Sequence, residues 1–160
     1  MCPSSDSHPE LPLDPDAIPT RILHVQPVAV LLVAAGGFAG TLARYALSEW
    51  APTRGRAWPW GTFLTNLIGA FLLGILLEAL ARRGPDEGWR QRMRLLAGTG
   101  FCGAFTTYSA LAVETDLLVR DSRVALAAGY LAATVLLGLL ATVLGLLAAG
   151  RPRRAASPPA

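Results

Sequence analysis

The sequence predicts an all-α membrane protein of four transmembrane helices with a glycine-broken third helix, and three observations carry that prediction. Of 160 residues, 52% are hydrophobic and only 16% charged, with a mean hydropathy of +0.43, a balance too apolar for an ordinary soluble domain. The apolar residues gather into four stretches, Val28 to Leu47, Gly61 to Ala81, Leu95 to Val119 and Val124 to Ala149. At about 1.5 Å of rise per residue, each is long enough to cross a hydrocarbon core of roughly 30 Å. The third stretch carries a polar run, GTGFCGAFTTYSALAVE from Gly98 to Glu114, where a lipid-facing helix would carry leucines.

Met1 to Pro27 holds Pro3, Pro9, Pro12, Pro15, Pro19 and Pro27 with four carboxylates, a composition that predicts a disordered tail. It lacks the basic start and apolar stretch of a secretory signal, so the first apolar stretch is expected in the mature protein. In that first span, Gly36 and Gly40 form a small-xxx-small face that admits a close neighbour. Arg44 near its end has two readings: snorkelling to the interface beside Tyr45 and Trp50, or a buried role that attracts an ion. The second span collects Thr62, Thr65 and Asn66 in its first third, with Thr62 and Asn66 on one helix face. An amide in lipid needs a partner, and Asn66 reads equally as interhelical glue or as a solute contact. Arg82 to Arg94 is expected to be a polar loop. Only Arg120 to Arg123 separate the third span from the fourth, so these two are expected to form an antiparallel hairpin. The fourth span is uncharged and reads as a packing helix; residues 150–160 read as a second disordered tail.

All 14 basic residues are arginine and cluster at the span ends, which fits headgroup anchoring and argues against a nucleic-acid partner. Cys2 and Cys102 are too isolated for a disulfide framework or a metal cluster. Four spans put both termini on the side of the second loop. That side holds Arg21, Arg82, Arg83, Arg90, Arg92, Arg94, Arg151, Arg153 and Arg154, against Arg54, Arg56, Arg120 and Arg123 opposite. The bias predicts a multi-pass protein of the cell membrane with cytoplasmic termini.

Gly98, Gly100 and Gly103 free the backbone to leave helical geometry just before Thr106 and Thr107. Broken helices at bilayer depth survive only under cover of protein or a polar cavity. The run therefore reads either as an ion or solute site built from hydroxyls and freed carbonyls, or as a tightly packed helix crossing.

Three motifs in order, GGFAGTLARY at Gly36 to Tyr45, GTFLTNLIGAF at Gly61 to Phe71, and GFCGAFTTYS at Gly100 to Ser109 followed by Glu114, resemble the fluoride channel family Fluc/CrcB across all four spans. The resemblance implies a passive, fluoride-selective channel that lets cytoplasmic fluoride leave the cell. It implies a dimer of four-helix subunits set antiparallel in the bilayer, with two pores and a central structural sodium ion at the interface. Carried over, the sodium would meet the carbonyls of Gly103 and Thr106. Asn66 would contact fluoride, Thr62, Thr107, Ser109 and Glu114 would form a polar track, and Arg44 would stand near the vestibule. Elementary chemistry agrees: fluoride gives up its water only to good donors, such as amides and hydroxyls, while carbonyls suit a hard cation.

The family pattern TTFSxF places phenylalanine at two positions where this chain has Tyr108 and Leu111. Tyr108 keeps an electropositive ring edge, whereas Leu111 has none to offer an anion. Some members of the family pair two different subunits, so a homodimer and a heterodimer with a second channel subunit both remain open. Other classes fit less well. A proton-coupled multidrug exporter needs a carboxylate in the first span, which has none. A structural subunit leaves the polar residues unexplained, and no nucleophile, base and orienting residue assemble into an enzyme.

Overall fold

The computed structural model describes residues 27–51 and 58–150. Apart from Pro27 and Gly150, both predicted tails, with Arg21, Arg151, Arg153 and Arg154, lie outside the described residues, as do the loop arginines Arg54 and Arg56. Among these residues seven helical pieces follow in order: α1 (Pro27–Trp50), α2 (Trp60–Ala81), α3 (Trp89–Met93), a π-helical segment (Arg94–Cys102), α4 (Gly103–Phe105), α5 (Tyr108–Arg120) and α6 (Val124–Ala149), the π segment joining α3 to α4 without interruption. Together they make four helices long and apolar enough to cross a membrane, the third running from Trp89 to Arg120. Pro27 is the first residue of α1, where its missing N–H is no loss.

The third span begins six residues before the predicted start, within the segment read as a loop. Its arginines build that extra turn: Arg90 donates to the carbonyls of Pro85 and Arg83, and Arg94 pairs with Asp86 at 2.6 Å. Charge alone marks these residues as polar. It does not show that guanidinium groups on long stems can serve an interfacial helix.

Packing is set by backbone contact. α1 lies along the π segment and α4, α2 lies along α6, and α5 returns against α6 as the predicted hairpin. A Cβ placed on Gly36 would overlap the carbonyl oxygen of Leu96, and one on Gly40 would overlap that of Phe101. The facing Gly100 would meet the Val33 carbonyl at 2.7 Å. The crossing of α2 and α6 uses Gly74 and Gly145 in the same manner, against Thr142 and Phe71. Gly36→Ala is expected to lower stability by about 1–3 kcal/mol, because the obstructing atom is backbone and cannot rotate away. The check is the melting temperature of purified protein in detergent. An unchanged value would mean that α1 does not touch the π segment this closely.

The exterior is strongly apolar, and hydroxyl-bearing side chains lie among the buried ones. Tyr130 and Thr65 are fully buried, while Phe38, Leu31, Leu136 and Leu147 are exposed by about two thirds. That arrangement is expected where the surrounding solvent is hydrocarbon. Around Tyr130, Phe63, Leu111, Leu118 and Ala127 form the buried apolar cluster.

Candidate functional site

The third span breaks at Thr106 and Thr107, three residues after the last of the predicted glycines. Gly103 is helical, with φ −64° and ψ −33°. The chain turns out of the helix at Thr106 (φ −75°, ψ 158°) and stays extended at Thr107 (φ −150°, ψ 121°). Gly98 and Gly100 instead lie buried in the π segment, and Gly100 there lets α1 approach. At Gly100 the missing Cβ thus serves packing, and hydroxyl and amide side chains make the break.

Each backbone group freed at the break finds a specific partner or is left open. The N–H of Thr107 donates to Asn66 Oδ1 at 2.8 Å, and Asn66 Nδ2 donates back to the Thr107 carbonyl at 3.1 Å. The amide therefore holds both backbone groups of one residue, as interhelical glue. Its second Nδ2 hydrogen is not used in that grip. Thr106 is tied back by its N–H and its hydroxyl, both donating to the Cys102 carbonyl at 3.0 and 2.8 Å. Thr107 caps α5, its Oγ1 accepting from the Ala110 N–H. In a continuous helix the N–H groups of Thr107 and Ala110 would bond the carbonyls of Gly103 and Thr106. Both donors are diverted, so those two carbonyls are released from the helix ladder.

Beside the break lies a cavity of about 480 Å³ lined by Arg44, Ser48, Thr62, Thr65, Thr107, Ser109, Ala110, Val113 and Glu114. Five of the predicted residues, Arg44, Thr62, Thr107, Ser109 and Glu114, thus share one wall. Glu114 is held at both oxygens: Thr62 donates to Oε1 at 2.8 Å and Tyr130 donates to Oε2 at 2.6 Å. Hydroxyl hydrogens are otherwise mostly committed, Thr65 to the Gly61 carbonyl and Ser48 to the Arg44 carbonyl. Thr107 and Ser109 face each other at 3.2 Å, with either as donor. A pair that shares one hydrogen bond keeps one hydroxyl hydrogen free to turn elsewhere. Arg44 makes no ion pair among the described residues. The wall therefore offers an anion the guanidinium of Arg44 and one hydroxyl hydrogen.

Three predicted pore residues do not line the cavity: Asn66, which is held at the break against Thr107, Tyr108 and Leu111. Tyr108 is 82% exposed on the outer surface of the chain. Leu111 is 5% exposed and packs in the apolar cluster with Phe63 and Tyr130, away from the cavity. The sequence reading marks Thr65 only as a polar residue of the second span and does not reach Tyr130 or Ser48. For Tyr130 a signal existed: a lone phenol in an aliphatic helix at bilayer depth requires an acceptor, and Glu114 is it.

A break bridged by an amide, beside a cavity with a cationic and hydroxylic wall, defines a polytopic helical membrane protein with a polar site between its spans. The family model described as CrcB-like protein, Camphor Resistance (CrcB), matches residues 31–146, and the chain belongs to that family. It is 51% identical over 124 residues to the fluoride-specific ion channel FluC 2 of Leifsonia xyli subsp. xyli, covering 78% of this chain and 85% of the relative. It is 44% identical over 124 residues to FluC 1 of Cutibacterium acnes, covering 78% and 87%. To FluC of Caulobacter vibrioides it is 43% identical over 123 residues, covering 75% and 94%. These relatives are named as ion channels, not as enzymes.

Proposed function

We propose that the chain forms a passive, fluoride-selective channel that lets fluoride leave the cytoplasm, and that it is not an enzyme. The observation that carries this reading is the cavity wall, which gathers Arg44, Thr62, Thr107, Ser109 and Glu114 beside the break, in a family whose relatives are named fluoride channels. Arg44 draws the anion in. The Thr107 and Ser109 pair then supplies a hydroxyl hydrogen in place of water, and the unused hydrogen of Asn66 supplies another. Glu114 repels an anion less than a free carboxylate would, since Thr62 and Tyr130 each donate to one of its oxygens.

The channel works as a dimer in this reading. Gly103, Tyr108 and Ser109 are exposed at the break, and hydroxyls and released carbonyls at hydrocarbon depth need cover. The Gly103 and Thr106 carbonyls fit a hard cation, lying at the C-terminal, partially negative end of the helix that closes at Phe105. A sodium ion bound there would tie the breaks of two subunits together. The arginine bias between the two sides of the bilayer favours cytoplasmic termini.

A second reading, a subunit that needs a different channel chain, is favoured by Leu111: it is packed in the core and brings no ring edge to a pore. Fluoride efflux from liposomes holding this chain alone, read by electrode with chloride as control anion, separates the two. Fast fluoride release without chloride release is the expected result for a self-sufficient dimer. Silence from folded, reconstituted protein, reversed by adding a second channel chain, would establish the heterodimer. Equal release of both anions would refute the selective channel itself.

A further inference from the structure

At the opposite, charged end of α2 and α3 lies a separate groove of about 280 Å³, bounded by Leu77, Leu80, Ala81, Asp86, Arg90 and Arg94. Its floor is aliphatic and its rim cationic. We propose that this groove binds an anionic phospholipid, the headgroup phosphate lying against the Arg90 guanidinium and the first carbons of an acyl chain lying along Leu77 and Ala81.

Arg90 is built for such a ligand. Its Nε donates to the Pro85 carbonyl at 2.6 Å and its Nη1 to the Arg83 carbonyl at 3.1 Å. Both partners are neutral, so the charge is oriented without being cancelled. Of the five N–H donors of a guanidinium, these bonds use two, leaving three for phosphate oxygens. The turn that wraps these carbonyls around Arg90 depends on Gly84, whose φ of +112° excludes most other residues. Asp86, the carboxylate on the rim, is held by Arg94 at 2.6 Å, which offsets its repulsion of a phosphate. The loop carries a surplus of positive charge: Arg82 pairs with Glu78 and Arg94 with Asp86, while Arg83, Arg90 and Arg92 make no ion pair among the described residues.

The depth is right for a headgroup. Trp89 is 57% exposed with the Arg83 guanidinium 6.0 Å from its ring centroid, an arrangement suited to the boundary between hydrocarbon and water. Leu77 is 42% exposed and continues the groove toward hydrocarbon. A soluble phosphate would satisfy Arg90 yet leave that aliphatic floor wet, whereas a lipid covers both.

The test is native mass spectrometry of the full chain released from vesicles of equal phosphatidylglycerol and phosphatidylcholine. The wild-type protein is expected to retain phosphatidylglycerol selectively. Arg90→Gln is expected to reduce that retention about five-fold, as one basic residue at an anionic surface would, with Arg90→Lys keeping most of it. Because Arg90 also braces the loop, Leu77→Gln provides an independent variant that leaves the loop bonds intact and is expected to weaken retention too. Arg92 borders a different groove, beside Val28 and Leu32, and Arg92→Gln is expected to change nothing. Equal retention of the two lipids by wild-type protein would overturn the proposal. So would an Arg92→Gln effect as large as that of Arg90→Gln, which would mark general surface charge. Displacement of the lipid by millimolar inorganic phosphate would show a free-anion site instead.

Discussion

Asn66→Leu is expected to lower stability by about 2–6 kcal/mol, because it strands two backbone groups at bilayer depth and each unsatisfied group costs about 1–3 kcal/mol. The two groups are the N–H and the carbonyl of Thr107, which the amide holds at 2.8 and 3.1 Å. Leucine has the branching and heavy-atom count of asparagine and opens no cavity, so the expected loss is chiefly one of hydrogen bonding. Without the amide, the extended conformation of Thr107 loses its support, and the N-cap that Thr107 gives to α5 goes with it. Fluoride flux is then expected to fall below detection, since the wall formed by Thr107 and Ser109 is no longer held in place. Asn66→Asp separates the two bonds: it keeps an acceptor for the Thr107 N–H and loses the donor to the carbonyl. An intermediate melting temperature is expected for it. If Asn66→Leu lost flux while melting like wild type, the amide would be serving the ion and not the break.

That double grip was not legible in the sequence, although the residue was. An amide four residues from Thr62 in an apolar helix shows that a polar partner must exist, but its partner lies 41 residues away. Helical periodicity places side chains only within their own helix. The four spans were legible because hydrocarbon imposes length and composition directly. The break was legible as a region and misplaced by three residues. Glycine permits many backbone conformations without choosing one, and the choice here belongs to the Thr106 hydroxyl, the Thr107 cap and Asn66. For Tyr130 the sequence shows a phenol in need of an acceptor but not which one, since its helix has no charge and Glu114 comes within 2.6 Å only in the fold. Leu111 shows the converse. A motif position suggests a pore contact, while burial against Phe63 and Tyr130 assigns this side chain to packing in the chain itself.

Arg44→Gln is expected to reduce fluoride flux about 10- to 100-fold while leaving the melting temperature unchanged. Arg44 is the cationic residue among those lining the cavity, and Glu114 lines the same space. With Arg44 in place the wall is close to neutral and an anion gains by approaching it. With glutamine there, the carboxylate dominates the field. A unit charge acting over about 4 Å is worth about 1 kcal/mol in water and about 4 kcal/mol at the effective dielectric of a protein surface. The predicted loss of flux lies between those limits. Stability is unaffected because the guanidinium makes no ion pair among the described residues, and the bond from Ser48 goes to the Arg44 backbone carbonyl. Arg44→Lys should restore most of the flux, since attraction at a cavity mouth needs charge more than fork geometry. Flux through the wild type should also fall more steeply with added salt than flux through Arg44→Gln, because screening removes only an attraction that exists. Equal flux in wild type and Arg44→Gln would return Arg44 to the other role its position allows, an anchor that snorkels to the headgroups beside Tyr45 and Trp50.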